Sequence, residues 1–202
     1  MEVFDCDQNS EAWQKARLGI PTASKFATVM AKGEGKIRSE YMRKLAGEII
    51  TGEPMDSYTN AYMERGHVQE DEARQLYAFA HDVEPIRVGF VRNGNVGASP
   101  DSLLGDDGGL EIKTALAHIQ IERLIRDDLP PEHKAQVQGG LYVTERAYWD
   151  FVSYSPKLPL LTVRVRRDEP YIKNMAGEIE RFNDELARLV ERIRSYGMQE
   201  AA

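Results

Sequence analysis

Gly97-Ala-Ser-Pro-Asp101, Gly105-Asp-Asp-Gly108 and Gly109-Leu-Glu-Ile-Lys113 decide how the rest of the chain is read. The second block has turn composition and the third is a short β-like run. Side chains alternate faces along a strand. Leu110 and Ile112 therefore point into a core, and Glu111 and Lys113 point together to the other side. A hairpin closing at residues 105–108 brings Asp101 beside Glu111. Pro100 cannot donate to a ladder, so it suits a bend that re-aims Asp101. Two carboxylates and an ammonium then share one side of a sheet, anchored from behind by aliphatic residues.

Clustered carboxylates repel, and burial raises their pKa unless a cation joins them. Hard cations such as Mg²⁺ prefer oxygen ligands and keep several waters. With a lysine nearby, the set suits metal-assisted attack on a phosphodiester. An acidic hairpin with a solvated Glu/Lys face has the same spacing, so the hairpin alone leaves both readings open.

Upstream, Ser10 is a candidate cap for a short helix through Arg17 that Gly19-Ile-Pro21 ends. Thr22-Ala-Ser-Lys starts another, with Phe26, Val29 and Met30 as its buried face. A helix start offers N–H groups and a positive dipole end. Arg17, Thr22 and Ser24 there make either a phosphate pocket or an ordinary N-cap with a surface arginine. Residues 39–50 and 57–80 read as two further helices. On the second, Tyr62, Gly66, Glu70, Ala73, Tyr77 and Ala80 share a face. An inward carboxylate is expensive unless paired or metal-bound. Glu70 therefore either pairs with Arg74 or His67, or joins Asp101 and Glu111.

Residues 86–91 alternate like one strand, followed by 96–99 and 102–104 bent at Pro100, and by 110–114. Residues 115–125 and 132–142 read as helices. The second contains Gly139-Gly140, which makes sense if another element or a sugar-phosphate chain must approach closely. Gln136 and Gln138 flank its face bearing Leu141 and Tyr142. Residues 147–154 and 160–165 are strands, with Arg164 and Arg166 either lining a DNA path or, the simpler reading, on a wet face. Asp168-Glu-Pro170 starts the last helix. Its stripe is Ile172, Met175, Ile179, Phe182, Leu186, Leu189 and Ile193, which is packing material.

The 202 residues fit a single domain, 1–202, and the 42% hydrophobic and 29% charged content is ordinary for a globular chain. A lone cysteine, Cys6, allows no intrachain disulfide and predicts a cytosolic setting. No apolar run approaches a membrane span, and the first residues lack a secretory pattern. The net charge of −7, from 26 basic and 33 acidic residues, argues against a passive charge-driven DNA binder. It leaves a nuclease open, since some acids would bind metal and basic residues can be concentrated in a channel. The glycine-bearing breaks at 31–36 and 52–58 do not read as domain linkers.

Pro100-Asp101 with Glu111-Ile112-Lys113 resembles the PD-(D/E)xK nuclease motif. The blocks Trp13-Gln-Lys-Ala-Arg17-Leu-Gly-Ile-Pro-Thr22-Ala-Ser24, Gly66-His-Val-Gln-Glu70-Asp-Glu-Ala-Arg74, Ser99-Pro-Asp101 and Ala135-Gln136-Val-Gln138 are similar to those of phage lambda-type recombination exonucleases, the YqaJ-like group, and stand in the same order. The resemblance covers roughly residues 13–154.

It implies an α/β, restriction-endonuclease-like fold with a central mixed β-sheet flanked by α-helices, the N-terminal helices walling a DNA cleft. It implies Mg²⁺-dependent 5′-to-3′ digestion of one strand of linear double-stranded DNA, with Mn²⁺ able to substitute. The product is a 3′ overhang for recombination by single-strand annealing. A ring-shaped homotrimer, an annealing-protein partner, no membrane, and the cytoplasm of a bacterial host carrying a phage or prophage gene belong to the same expectation.

Residue by residue, Asp101, Glu111 and the Ile112 carbonyl would hold metal, with Glu70 on a metal or its water. Lys113 would orient water or stabilise developing charge, and Gln136 would support the site. Arg17, Thr22, Ser24 and Ser99 would hold phosphate. Met63 would wedge into the duplex end, and Gln138 with Tyr142 resembles the Q-x-x-x-Y element of related nucleases. Two rival readings stay open. One is an endonuclease on the same fold, which closed circular DNA separates. The other is a non-catalytic DNA-end binder, against which the intact Asp101, Glu111 and Lys113 set argues.

Overall fold

Gly105, at φ +49°, turns the chain where the sequence requires it. The computed structural model describes residues 1–31, 35–55 and 61–197, and of 61–67 only the backbone. In chain order, β1 (Glu2–Phe4), α1 (Glu11–Arg17), a 3₁₀ turn (Ala23–Lys25), α2 (Phe26–Val29), α3 (Lys36–Thr51) and α4 (Ala61–His81) come first. Five strands follow: β2 (Pro85–Ile86), β3 (Phe90–Asn93), β4 (Val96–Ala98), β5 (Ser102–Leu104) and β6 (Gly108–Thr114). Then come α5 (Ala117–Arg126), a second 3₁₀ turn (Pro131–His133), α6 (Lys134–Thr144), β7 (Tyr148–Tyr154), β8 (Leu161–Arg166) and α7 (Glu169–Arg194).

The chain is α/β. Its central sheet has the order β2-β5-β6-β7-β8, with β6 and β7 parallel and the other pairs antiparallel. A parallel pair needs a long crossover, and α5 with α6 supplies it. A second sheet, β1-β3-β4, is antiparallel, and a bridge from Thr22 to Gly97 ties the N-terminal segment to its edge. Helices cover both faces of the central sheet. Trp149 and Phe151 of β7 pack with α2, α3, α6 and α7, whereas Val152, Tyr154, Leu110 and Ile112 pack with Ala73 and Tyr77 of α4. The alternation along β7 is thus apolar to both sides, as a central strand covered on two faces should be. Among the described residues, no helix is long and apolar enough to cross a membrane.

Local chemistry accounts for the element ends. Ser10 accepts the Trp13 N–H and Asp168 accepts the Tyr171 N–H, so both caps form. Along α7, Ile172, Met175, Ile179, Phe182, Leu186 and Val190 are buried. Six such side chains contribute on the order of 10 kcal/mol before chain entropy is counted. Ile193, expected in the stripe, is 47% exposed because the last turn runs past the core. In α6, a Cβ on Gly139 would lie 2.6 Å from Phe26 and one on Gly140 2.8 Å from Trp149. The close approach is therefore by other elements of the chain.

Two expectations need correction. Residues 86–91 are not one strand: β2 pairs with β5 and β3 pairs with β1 and β4. Gly89 donates its N–H to Phe4 O at 3.0 Å, and a Cβ there would meet Cys6 O at 2.3 Å. The chain crosses between sheets at that contact. After Thr22 there is no single helix but a three-residue 3₁₀ turn and the four-residue α2. The expected start of α4 at 57 lies outside the described residues.

Candidate active site

Strand β6 presents Leu110 and Ile112 to the α4 side and Glu111 to the α6 side, where it stands beside Phe151 of β7. Glu111 is buried. Lys113 Nζ lies 2.6 Å from Glu111 Oε1, and Gln136 Nε2 on α6 donates to the same oxygen at 2.5 Å. Asp101 occupies the bend between β4 and β5. Its N–H donates to Leu110 O at 3.1 Å, and its Oδ2 accepts the Ile112 N–H at 2.5 Å. Because Ser102 pairs with Leu110, Asp101 falls opposite Glu111. The N–H and C=O of one strand residue leave by the same edge. The Ile112 carbonyl therefore leaves β6 on the Asp101 edge, past the end of β5.

Charge in this cluster is unbalanced. Burial above all, then Glu111 and Glu70, pushes the Asp101 carboxyl well above its usual range, against Lys113 and the Ile112 N–H. For Lys113, burial pulls the ammonium down, but Glu111, Asp101 and Glu70 outweigh it and hold it above its usual value. His133, just before α6, is held down at about 4 by burial, then by Lys113 and Arg123, and stays neutral. A hard divalent cation would relieve the penalty on ionised Asp101. Among the described residues, no group of three or more His, Cys, Asp or Glu is placed to hold a metal. Two carboxylates and a main-chain carbonyl could together hold an ion that keeps water and substrate oxygens in its shell.

Glu70 makes the helix pair with Arg74 that its spacing allowed. Its Oε1 accepts from Arg74 Nη2 at 2.5 Å, one helical turn away, and its charge acts on Asp101 and Lys113. A cavity of about 380 Å³ is lined by Asp101, Glu111, Lys113 and Gln136 together with Arg17, Thr22, Ser24 and Ser99. Arg17 lies 4.1 Å over the Trp13 ring, whose Nε1 donates to Ser99 Oγ at 2.8 Å. The Thr22 and Ser24 hydroxyls are 3.3 Å apart. The phosphate reading thus stands on the shared cavity. It no longer stands on a helix dipole, because the turn after Thr22 is too short and Thr22 makes no side-chain cap bond.

Two expected site residues lie elsewhere. Gln138 donates to Arg166 O and accepts the Asp168 N–H, both at 2.9 Å, so it ties β8 to α7. Tyr142 packs against the larger core. The Met63 side chain is outside the described residues. Sequence reading missed Gln8, which donates to Pro100 O at 3.0 Å, and the bridging place of Arg74. The spacing of Glu70 and Arg74 hinted at their pair, but nothing local marked either long-range contact.

The model of the YqaJ-like viral recombinase domain matches residues 12–147. Among solved structures, the alkaline exonuclease LHK-Exo from Laribacter hongkongensis is similar at 33% identity and a TM-score of 0.86, over 95% of this chain and 100% of that one. Its complex with dAMP matches equally well. A phage-related exonuclease from Haemophilus somnus 129PT shares the fold at 14% identity and a TM-score of 0.63, over 86% of this chain and 96% of that one. No curated protein matches the chain.

Proposed function

The chain belongs to the YqaJ-like viral recombinase family, and we propose that it is a Mg²⁺-dependent exonuclease that digests one strand of linear double-stranded DNA from its 5′ end. The 3′ overhang left behind would feed recombination by single-strand annealing. One observation carries the reading: Asp101, Glu111, Lys113 and Gln136 share a cavity with a guanidinium and three hydroxyls. Mg²⁺ or Mn²⁺, held by Asp101, Glu111 and the Ile112 carbonyl with Glu70 beside them, would supply an activated water and a polarised phosphoryl oxygen.

The chain's own groups do the rest. Lys113 stays protonated beside Glu111 and places a positive charge where negative charge develops on the phosphate. Gln136 fixes the Glu111 carboxylate by its amide N–H. Arg17 offers a planar fork matched to phosphate, and its stacking on Trp13 holds that fork in the cavity wall. Thr22, Ser24 and Ser99 add hydroxyls around it. A strand whose 5′ phosphate lies at Arg17 would present its first internucleotide bond to Asp101 and Glu111.

The proposal includes a homotrimeric ring around duplex DNA, an annealing protein as partner and a host-cytoplasm location. A ring that concentrates its basic residues around a channel suits a chain of net charge −7. Digestion of strand-specifically labelled linear duplex, with and without a 5′ phosphate and beside a closed circle, tests the activity. Loss of label from 5′ ends in Mg²⁺, with the circle intact, is expected. A cut circle makes the chain an endonuclease, and end binding without cleavage makes it a binding protein.

A further inference from the structure

Arg74 is buried, and its guanidinium is engaged on several sides. Nη2 donates to Glu70 Oε1 at 2.5 Å and to the main-chain carbonyl of Asp101 at 3.3 Å. Nη1 donates to Asp71 Oδ1 at 2.5 Å, and Nε donates to Ser102 Oγ at 3.0 Å. The Ser102 hydroxyl donates in turn to the same Asp101 carbonyl at 2.5 Å. Asp71 is also paired with Arg87 from the segment between β2 and β3.

A helix pair at i,i+4 needs one bond and ends on its own helix. This one reaches across to the bend that carries Asp101. The consequence is that Asp101 is held at two points. Its carboxylate is fixed by the Ile112 N–H on β6. Its carbonyl is fixed by Arg74 from α4, and by Ser102, which Arg74 holds. Rotation of that peptide would move the carboxylate relative to Glu111, and the same guanidinium decides how near Glu70 stands to both.

We propose that Arg74 is a positioning residue for the metal site: through its bonds to Glu70, Ser102 and the Asp101 carbonyl it sets the spacing of the carboxylates that receive the divalent cation. The proposal rests on the metal-site reading above. The chemistry requires a guanidinium. Its donors lie in one rigid plane at fixed angles, so one side chain can meet a carboxylate, a hydroxyl and a carbonyl together. A lysine keeps the charge and can pair with Glu70, but it cannot hold that fork.

Partners outside the ligand set typically affect metal affinity about 10–100-fold when removed. The test uses the full chain with Arg74→Lys, Arg74→Gln and Ser102→Ala, and Asp101→Ala as control. Mn²⁺ binding is measured by calorimetry without DNA, alongside the Mg²⁺ half-saturation of cleavage, DNA-end affinity and the melting temperature. Both Arg74 variants should bind Mn²⁺ about 10–100-fold more weakly and raise the Mg²⁺ half-saturation by a like factor, with end affinity kept. Ser102→Ala should shift both in the same direction by less. It leaves both carboxylate pairs of Arg74 in place, so it carries the test if Arg74→Gln does not fold. Wild-type Mn²⁺ affinity in Arg74→Lys overturns the proposal, as does a lowered melting temperature with Mn²⁺ affinity retained. If Asp101→Ala binds Mn²⁺ like wild type, the metal-site reading itself has failed, whatever the Arg74 variants do.

Discussion

Replacing Lys113 by methionine keeps most of the aliphatic stem and deletes the ammonium, so it separates packing from charge. In the wild type, Nζ lies 2.6 Å from Glu111 Oε1, with the two side chains 31% and 5% exposed. Deleting one partner of a buried pair costs about 3–5 kcal/mol because the other charge stays buried. The partial exposure of Lys113 and the remaining Gln136 bond place this case at the low end, about 3 kcal/mol. For a chain of this size that lowers the melting temperature of the metal-free protein by about 6–12 °C. A ligand at a hundred times its Kd returns about 2.7 kcal/mol, so saturating Mg²⁺ should recover most of the loss. Mg²⁺ should bind the variant more tightly, since it no longer competes with a cation for Glu111, Asp101 and Glu70. Catalysis should nevertheless fall about 10²–10³-fold in kcat, the usual effect of removing one charge-stabilising group, with DNA affinity near wild type. Scanning calorimetry with and without Mg²⁺, a Mg²⁺ titration, cleavage of an end-labelled duplex and a DNA-end binding titration measure all five. If affinity for DNA falls and the chemical step does not, Lys113 is a phosphate-binding residue and the reasoning is wrong.

Arg17→Ala should shorten the product run per binding event and reduce the preference for 5′-phosphorylated over 5′-hydroxyl ends, while the first cut suffers less; unchanged processivity and preference would place the phosphate pocket elsewhere. Asp101 is held above 3.8, so just above that pH the folded chain keeps a proton that the unfolded chain has lost. Its contribution lowers stability as pH rises through that window. Metal-free Asp101→Asn should therefore gain on wild type as pH rises, and parallel pH–stability curves would contradict this. Gly109→Ala places a methyl 2.3 Å from the Trp149 ring, and such overpacking costs about 1–3 kcal/mol; chemical denaturation giving wild-type stability would mean that the ring has room to move.

The hairpin and the long C-terminal helix were legible in the sequence because their signals are local. Alternation of Leu110 and Ile112 against Glu111 and Lys113, with glycine at the turn, sets both register and face. Asp168 and Pro170 with a 3.6-residue stripe define α7. What local signals could not carry was settled by distant contacts. Strand β1 gave no signal, since it exists by pairing Glu2 with Arg92 and Phe4 with Phe90. Residues 86–91 alternate throughout, yet contact with Cys6 and Phe4 sends their two ends to different sheets. Gln138 has the surroundings of a site residue in sequence, two positions from Gln136. The α6 geometry turns it to the β8–α7 junction instead. Arg74 looked like an ordinary partner for Glu70 because only the fold brings Ser102 and the Asp101 carbonyl within its reach.

The central claim is that Asp101 and Glu111 together bind the metal that cleaves the phosphodiester bond. The direct measurement is turnover of a 5′-phosphorylated linear duplex by Asp101→Ala and Glu111→Ala in Mg²⁺, with DNA-end binding followed on the same samples. Cleavage should be abolished in both variants while end binding is largely kept. Near-normal turnover by either variant would contradict the account.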